Sequence, residues 1–84
     1  MAQRWKLYGT LGCHLCDQAQ AMVAHLQTQF EISLEYIDIA EREIWMKEYG
    51  QRIPVLENSK LMQTTDWPFD PEVLTLWLEN EAEQ

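Results

Sequence analysis

Apolar side chains recur along this chain with two different periods, and the places where the period changes mark its elements. Trp5-Lys6-Leu7-Tyr8 is a short β-prone run that stops at Gly9, which reads as a first strand, and Thr10-Leu11-Gly12 reads as a turn. From there Leu15, Ala19, Met22, Val23, Leu26 and Phe30 follow one another at helical spacing, predicting a helix that begins near Cys13 and ends around Gln29. Leu34 to Ile39 is rich in β-branched and aromatic residues and reads as a second strand, so that strand, helix and strand make a parallel, right-handed βαβ unit. Glu41 to Tyr49 reads as a weaker helix, with acids in its first turn, Glu43 four residues before Lys47, and Gly50 as its stop.

Ile53 to Glu57 and Lys60 to Gln63 flank Asn58-Ser59 and read as a β-hairpin, with Pro54 at the start of its strand or on an edge, where a missing N–H costs least. Asp70 followed by Pro71 supplies a cap and a first helical residue, and Val73, Leu74, Trp77 and Leu78 form the apolar face of a last helix. Glu79 to Gln84 reads as a solvated, fraying end. The order is βαβαββα, an α/β pattern without internal repeat or linker.

A chain of 84 residues has too little interior for two cores, so residues 1–84 are expected to form one domain. Its hydrophobic share of 46%, with four Trp, is far from the profile of a disordered segment. Fourteen acidic against six basic residues give a formal net charge of −8, which argues against nucleic acid and against an anionic membrane surface as partners. No signal-like or membrane-spanning apolar run is present. A cytoplasmic monomer is therefore expected. In that reducing compartment a purely structural disulfide is disfavoured.

The chemistry concentrates at Cys13-His14-Leu15-Cys16, where the first strand gives way to the first helix. Unpaired N–H groups at a helix start stabilise a thiolate on Cys13, and Cys16, one turn further in, can attack a mixed disulfide formed there. Cys13 is expected to titrate below the ordinary thiol value of about 8.5 and Cys16 at or above it. A protonated His14 would add a cation beside the thiolate, while Asp17 works the other way. Three alternatives compete: a stabilising disulfide, worth about 2 kcal/mol for so short a loop, two merely buried cysteines, and a metal site. With no second cysteine pair, and with His25 almost three turns along the helix as an ordinary surface residue, a closed metal site would need two chains, so no metal ligand is assigned.

These pieces together resemble the glutaredoxin branch of the thioredoxin superfamily, in particular short bacterial glutaredoxin-like proteins with a Cys-His-Leu-Cys motif. Leu7-Tyr8, Gly12 to Cys16, Ile37-Asp38-Ile39 and Ile53-Pro54-Val55-Leu56 carry the likeness, which covers most of residues 4 to 78. The resemblance implies a thioredoxin-like, glutaredoxin-type fold: a four-stranded mixed sheet flanked by three helices, with a cis peptide at Ile53-Pro54 facing the cysteines. It implies thiol–disulfide exchange on a protein or small-thiol disulfide, with Cys13 attacking, Cys16 resolving and the backbone beside Pro54 receiving the substrate. It implies no bound cofactor, and glutathione is a co-substrate only if the family's binding residues are kept.

Against the family's glutathione-binding pattern, Thr10-Leu11 stand where a basic residue is usual, Arg52-Ile53-Pro54 replaces Thr-Val-Pro, and Gln63-Thr64-Thr65-Asp66 replaces a Gly-Gly-Asp segment. By the same resemblance Thr65 and Asp66 join Ile53 and Pro54 as substrate-binding candidates, Asp66 matching the acid that holds the glutathione amine and Arg52 offering one cation. Trp67 and Phe69 either line a substrate groove or cap the core, and Tyr8 reads as a packed strand residue rather than a catalytic acid. The competing functional classes are a metal- or iron–sulfur-binding dimer and a non-catalytic interaction module.

Overall fold

Side chains on neighbouring residues of a strand point to opposite faces, and here both faces of one sheet are covered. The structure, a computed structural model, describes residues 2–82. The elements are β1 (Gln3–Gly9), α1 (His14–Gln27), β2 (Ile32–Asp38), a 3-10 turn (Ile39–Glu41), α2 (Glu43–Tyr49), β3 (Val55–Asn58), β4 (Gln63–Asp66) and α3 (Pro71–Ala82). The sheet order is β2-β1-β3-β4, with β1 parallel to β2 and antiparallel to β3, and β4 antiparallel to β3. A four-stranded mixed sheet with three helices is thus the α/β, thioredoxin-like arrangement.

Trp5 and Leu7 point from β1 into the larger core, where Ala19 and Val23 of α1 meet Leu74 and Trp77 of α3, together with Ile32, Leu56 and Phe69. Tyr8 points the other way, into a second cluster with Ile37, Ile39 and Val55 that α2 covers with Trp45 and Tyr49. The larger core closes around a polar thread. Buried Trp5 donates Nε1–H to Gln3 Oε1 at 2.8 Å, Gln3 Nε2 donates to the Trp77 carbonyl at 2.9 Å, and Trp77 Nε1–H donates to Gln63 Oε1 at 2.9 Å. Among the described residues no buried side-chain nitrogen or oxygen lacks a partner, as close packing demands. Among them also, no helix is long and apolar enough to cross a membrane.

Several boundaries differ from the sequence-based expectation. Helix α1 ends at Gln27, where Thr28 turns back and its Oγ1 donates to the His25 carbonyl at 2.6 Å. Its inner face is Cys16, Ala19 and Val23. Leu15 and Phe30, expected on that face, are 45% and 42% exposed, because the buried stripe starts from a cysteine one position later. Strand β2 begins at Ile32 and yields at Asp38, whose carboxylate accepts the Ala40 N–H at 3.0 Å and starts the 3-10 turn.

The hairpin is displaced as well. Asn58 closes β3 instead of opening a two-residue turn, its Oδ1 accepts the N–H groups of Lys60 and Leu61, and Ser59 to Met62 form the loop. Met62 takes a left-handed conformation at φ 55° before β4. Trp67 and Phe69, in edge-to-face contact at 5.2 Å, belong to the larger core. Helix α3 starts as expected, with Asp70 Oδ1 accepting the Glu72 N–H at 2.9 Å, but it continues through Ala82. Of the expected fraying end, residues 83 and 84 lie outside the described residues.

Candidate functional site

The strand β1 ends at the sheet's rim and the chain must turn sharply into α1. Gly12 permits this with φ at +76°, a conformation that costs glycine little. Cys13 then caps the helix in extended conformation, and its Sγ accepts the Cys16 N–H at 3.1 Å, where a serine or aspartate oxygen would ordinarily sit. Cys13 and Cys16 are joined in a disulfide, with Cα atoms 5.2 Å apart. Cys16 is fully buried while Cys13 is half-buried, so of the two cysteines Cys13 is the one open to solvent. His14 is exposed, with its Nε2 at 3.1 Å from Gln18 Nε2 one turn along the helix.

Beneath Cys16 the end of β1 is stripped of side chain. A Cβ on Gly9 would come within 3.0 Å of Cys16 Sγ and 2.5 Å of the Tyr36 hydroxyl, so both atoms converge on the space a side chain would fill. The parallel register explains the meeting, since Gly9 lies opposite Asp38 and Leu7 opposite Tyr36. Thr10 Oγ1 donates to Asp38 Oδ1 at 3.0 Å, and the Tyr36 hydroxyl makes a long 3.4 Å bond to the Thr10 carbonyl. Burial raises the Tyr36 pKa above the ordinary phenol value, and the Asp38 and Asp17 carboxylates add to that rise.

The other predicted residues gather at the same end of the sheet. Val55 lies opposite both Tyr8 and Asp66, so Pro54 falls level with Gly9, and the Trp67 N–H donates to the Pro54 carbonyl at 3.0 Å. The Ile53-Pro54 and Trp67-Pro68 peptide bonds are cis. The Ile53 N–H is bound to the Tyr49 carbonyl at 3.0 Å, so this backbone donor is already engaged within the chain. Thr65 Oγ1 accepts the Asp70 N–H at 3.3 Å and so helps set the approach to α3.

Asp66 and Arg52 hold each other. Arg52 donates from Nε to Oδ2 at 3.2 Å and from Nη2 to Oδ1 at 3.0 Å, a two-point pairing, and its Nη1 lies 3.4 Å from Glu48 Oε1. The hydrogen bonds it donates to Asp66 raise the guanidinium pKa above its ordinary value. The two groups expected to receive a zwitterionic ligand are therefore already paired with each other.

Tyr8 lies on the opposite face of the sheet from Cys16. It stacks on Tyr49 with centroids 4.2 Å apart and donates to Glu57 Oε1 at 3.2 Å. Burial first, and then the Glu57 carboxylate, push its pKa far above the ordinary phenol range, so it keeps its proton as a structural donor.

Gly9, Thr10, Tyr36 and Asp38 are site neighbours that residue-by-residue reading passed over, although the βαβ pattern carries the signal by setting the end of the second strand beside the end of the first. Among the described residues no three His, Cys, Asp or Glu side chains come together as a metal ion requires. A disulfide-forming Cys-x-x-Cys at a helix start fits a redox role.

Known proteins place the chain more closely. A structural-genomics target protein from X. campestris, solved by X-ray diffraction, is 33% identical with a TM-score of 0.72, over 90% of this chain and 96% of that one. Its solution structure gives 34% identity and a TM-score of 0.70, with 95% of each chain covered. A protein from Nitrosomonas europaea, solved by solution NMR, is 29% identical with a TM-score of 0.82, over 93% of each chain. No curated protein matches. The Glutaredoxin-like domain (DUF836) matches residues 4–79, nearly the whole sequence, and the chain belongs to that family.

Proposed function

We propose that this protein is a thiol–disulfide oxidoreductase that works by dithiol exchange. The carrying observation is the Cys13–Cys16 disulfide at the start of α1, with the Cys16 N–H aimed at Cys13 Sγ. A sulfur that accepts a backbone N–H at a helix N-terminus is better able to hold negative charge, the property a nucleophilic thiolate needs. In the reduced protein the Cys13 thiolate attacks a substrate disulfide, forming a mixed disulfide and expelling one substrate thiolate. Cys16, as thiolate, then attacks Cys13 Sγ, which closes the intramolecular disulfide and releases the second substrate sulfur. Two equivalents of an external thiol, oxidised together to a disulfide, return the pair to the dithiol form.

The surface around Cys13 supports a polypeptide disulfide as the better substrate. Leu11 is 89% exposed and Leu15 is also exposed, so apolar groups flank the sulfur on both sides in the sequence. Oxidised glutathione is the poorer substrate in this reading, because Arg52 is engaged by Asp66 and Glu48 and the chain carries a formal net charge of −8. Cys16→Ser tests the division of labour. Incubated with a protein disulfide, with hydroxyethyl disulfide or with oxidised glutathione, the variant should accumulate a stable adduct on Cys13, read by mass spectrometry, whereas the wild type should pass through it to the internal disulfide. Absence of an adduct with all three would remove the exchange mechanism.

A further inference from the structure

Tyr36 brings a hydroxyl to the buried end of the disulfide. Its oxygen and Cys16 Sγ approach one point above Gly9, at 2.5 and 3.0 Å, and so lie no further apart than the two lengths together. In the oxidised protein Cys16 is neutral and a weak acceptor, and the hydroxyl rests on the Thr10 carbonyl at 3.4 Å, a long bond that is easily given up. The ring stands on an edge strand and is 37% exposed, so it is not locked in place by the core. No side chain on Gly9 blocks a swing toward the sulfur.

We propose that Tyr36 donates a hydrogen bond to Cys16 Sγ whenever that sulfur is a thiolate, and thereby sets the pH at which Cys16 resolves a mixed disulfide. The inference rests on the exchange reaction proposed above. In the opening direction an external thiolate bonds to Cys13 Sγ, the Cys13–Cys16 bond breaks, and its electron pair stays on Cys16, where the phenol meets the new charge. In the closing direction the Cys16 thiolate attacks Cys13 Sγ, the Cys13–Cys16 bond forms, and the electron pair of the mixed disulfide leaves with the substrate sulfur. The phenol proton stays on oxygen throughout. Asp38, from Tyr36's own strand, and Asp17, from α1, face the hydroxyl and oppose its ionisation, which keeps it a donor. Both carboxylates also disfavour a thiolate at Cys16, so a donor at this position offsets them.

The test compares full-length wild type with Tyr36→Phe, which keeps the ring. Reduced protein is mixed with excess hydroxyethyl disulfide, quenched with acid, and the Cys13 adduct is followed by mass spectrometry from pH 5 to 10. Loss of one charge-assisted hydrogen bond at a partly exposed site should raise the midpoint of the resolution rate by about one pH unit. Below the midpoint the adduct should then persist about tenfold longer, while its rate of formation on Cys13 changes little. An unchanged midpoint with normal adduct formation would overturn the role of Tyr36 and leave exchange standing. Failure of the wild type to form any adduct or internal disulfide would instead remove the exchange reaction itself. Should Tyr36→Phe not fold, the wild type labelled at the tyrosine ring carbon bearing oxygen decides the matter: the Tyr36 resonance must follow ionisation of Cys16 on reduction, and a resonance indifferent to it refutes the contact.

Discussion

Replacing Gly9 separates strand propensity from the geometry of the site. Within a strand alanine is favoured over glycine by about 0.5–1 kcal/mol, less at a terminal position such as Gly9, and valine is a still better strand former. Local preference therefore orders the stabilities Val above Ala above Gly. Packing gives the reverse. The new Cβ meets the Tyr36 hydroxyl at 2.5 Å and Cys16 Sγ at 3.0 Å. The hydroxyl is the tip of an exposed side chain and moves aside cheaply, but Cys16 is fully buried and tied to Cys13, so the sulfur cannot yield.

Overfilling a packed site costs about 1–3 kcal/mol, so Gly9→Ala should come out near 1 kcal/mol less stable than wild type and Gly9→Val about 2–3 kcal/mol less stable. With a urea slope of about 1 kcal/mol per molar for so small a chain, the midpoints should fall by about 1 M and 2–3 M. The penalty should shrink in the reduced protein, where Cys16 Sγ can rotate. Urea unfolding followed by tryptophan fluorescence, with and without reductant, reads all four values. A Val variant as stable as wild type would refute the close approach, as would equal penalties in the two redox states.

Two other perturbations check the electrostatics. The Tyr8 phenol has its pKa raised by burial and then by Glu57, so the native state keeps a proton that the unfolded chain releases near pH 10. Its contribution to stability is whole below that pH and is lost as the pH rises toward the native value, by about 1.4 kcal/mol per pH unit; urea melts between pH 9 and 11 should show the fall, and Tyr8→Phe should flatten it by that slope. Asp66→Asn, which removes the two-point ion pair and leaves Arg52 only the longer contact with Glu48, should alter stability by less than about 1 kcal/mol because the pair is partly exposed. It should speed exchange with oxidised glutathione several-fold at low salt while leaving neutral hydroxyethyl disulfide unaffected, and equal rates for variant and wild type would show that Arg52 does not limit glutathione.

The element order and the location of Cys13 at a helix start were readable because each rests on local chemistry: a β-prone run, a glycine turn, helical spacing and an aspartate cap before Pro71. The hairpin was misplaced because Asn58-Ser59 carries a turn signal and Leu61-Met62 a strand-like one, yet Asn58 spends its carboxamide oxygen on the following N–H groups and Leu61 packs from the loop onto the larger core. Leu15 reads as core by its apolar character, yet Cys16 takes the buried position, since a cysteine serves as a small buried group. Tyr36 beside Cys16 and Arg52 on Asp66 are tertiary meetings across 20 and 14 residues of sequence. The first follows once the parallel register is known; the second needed only the thought that opposite charges flanking one proline loop satisfy each other before any ligand does.

The thread from Trp5 through Gln3 to the Trp77 carbonyl binds the first strand to the last helix. During synthesis β1 leaves the ribosome well before α3 and is destined for an interior position between β2 and β3, yet the Trp77 carbonyl that its Gln3 amide binds is not there until α3 arrives. Half-made chains must therefore carry an exposed indole and an open carboxamide, and secure closure comes late, from contacts distant in sequence. Trimming α3 back before Trp77 would leave more than a missing helix: it would strip the anchor from the strand that carries the chain to its cysteines.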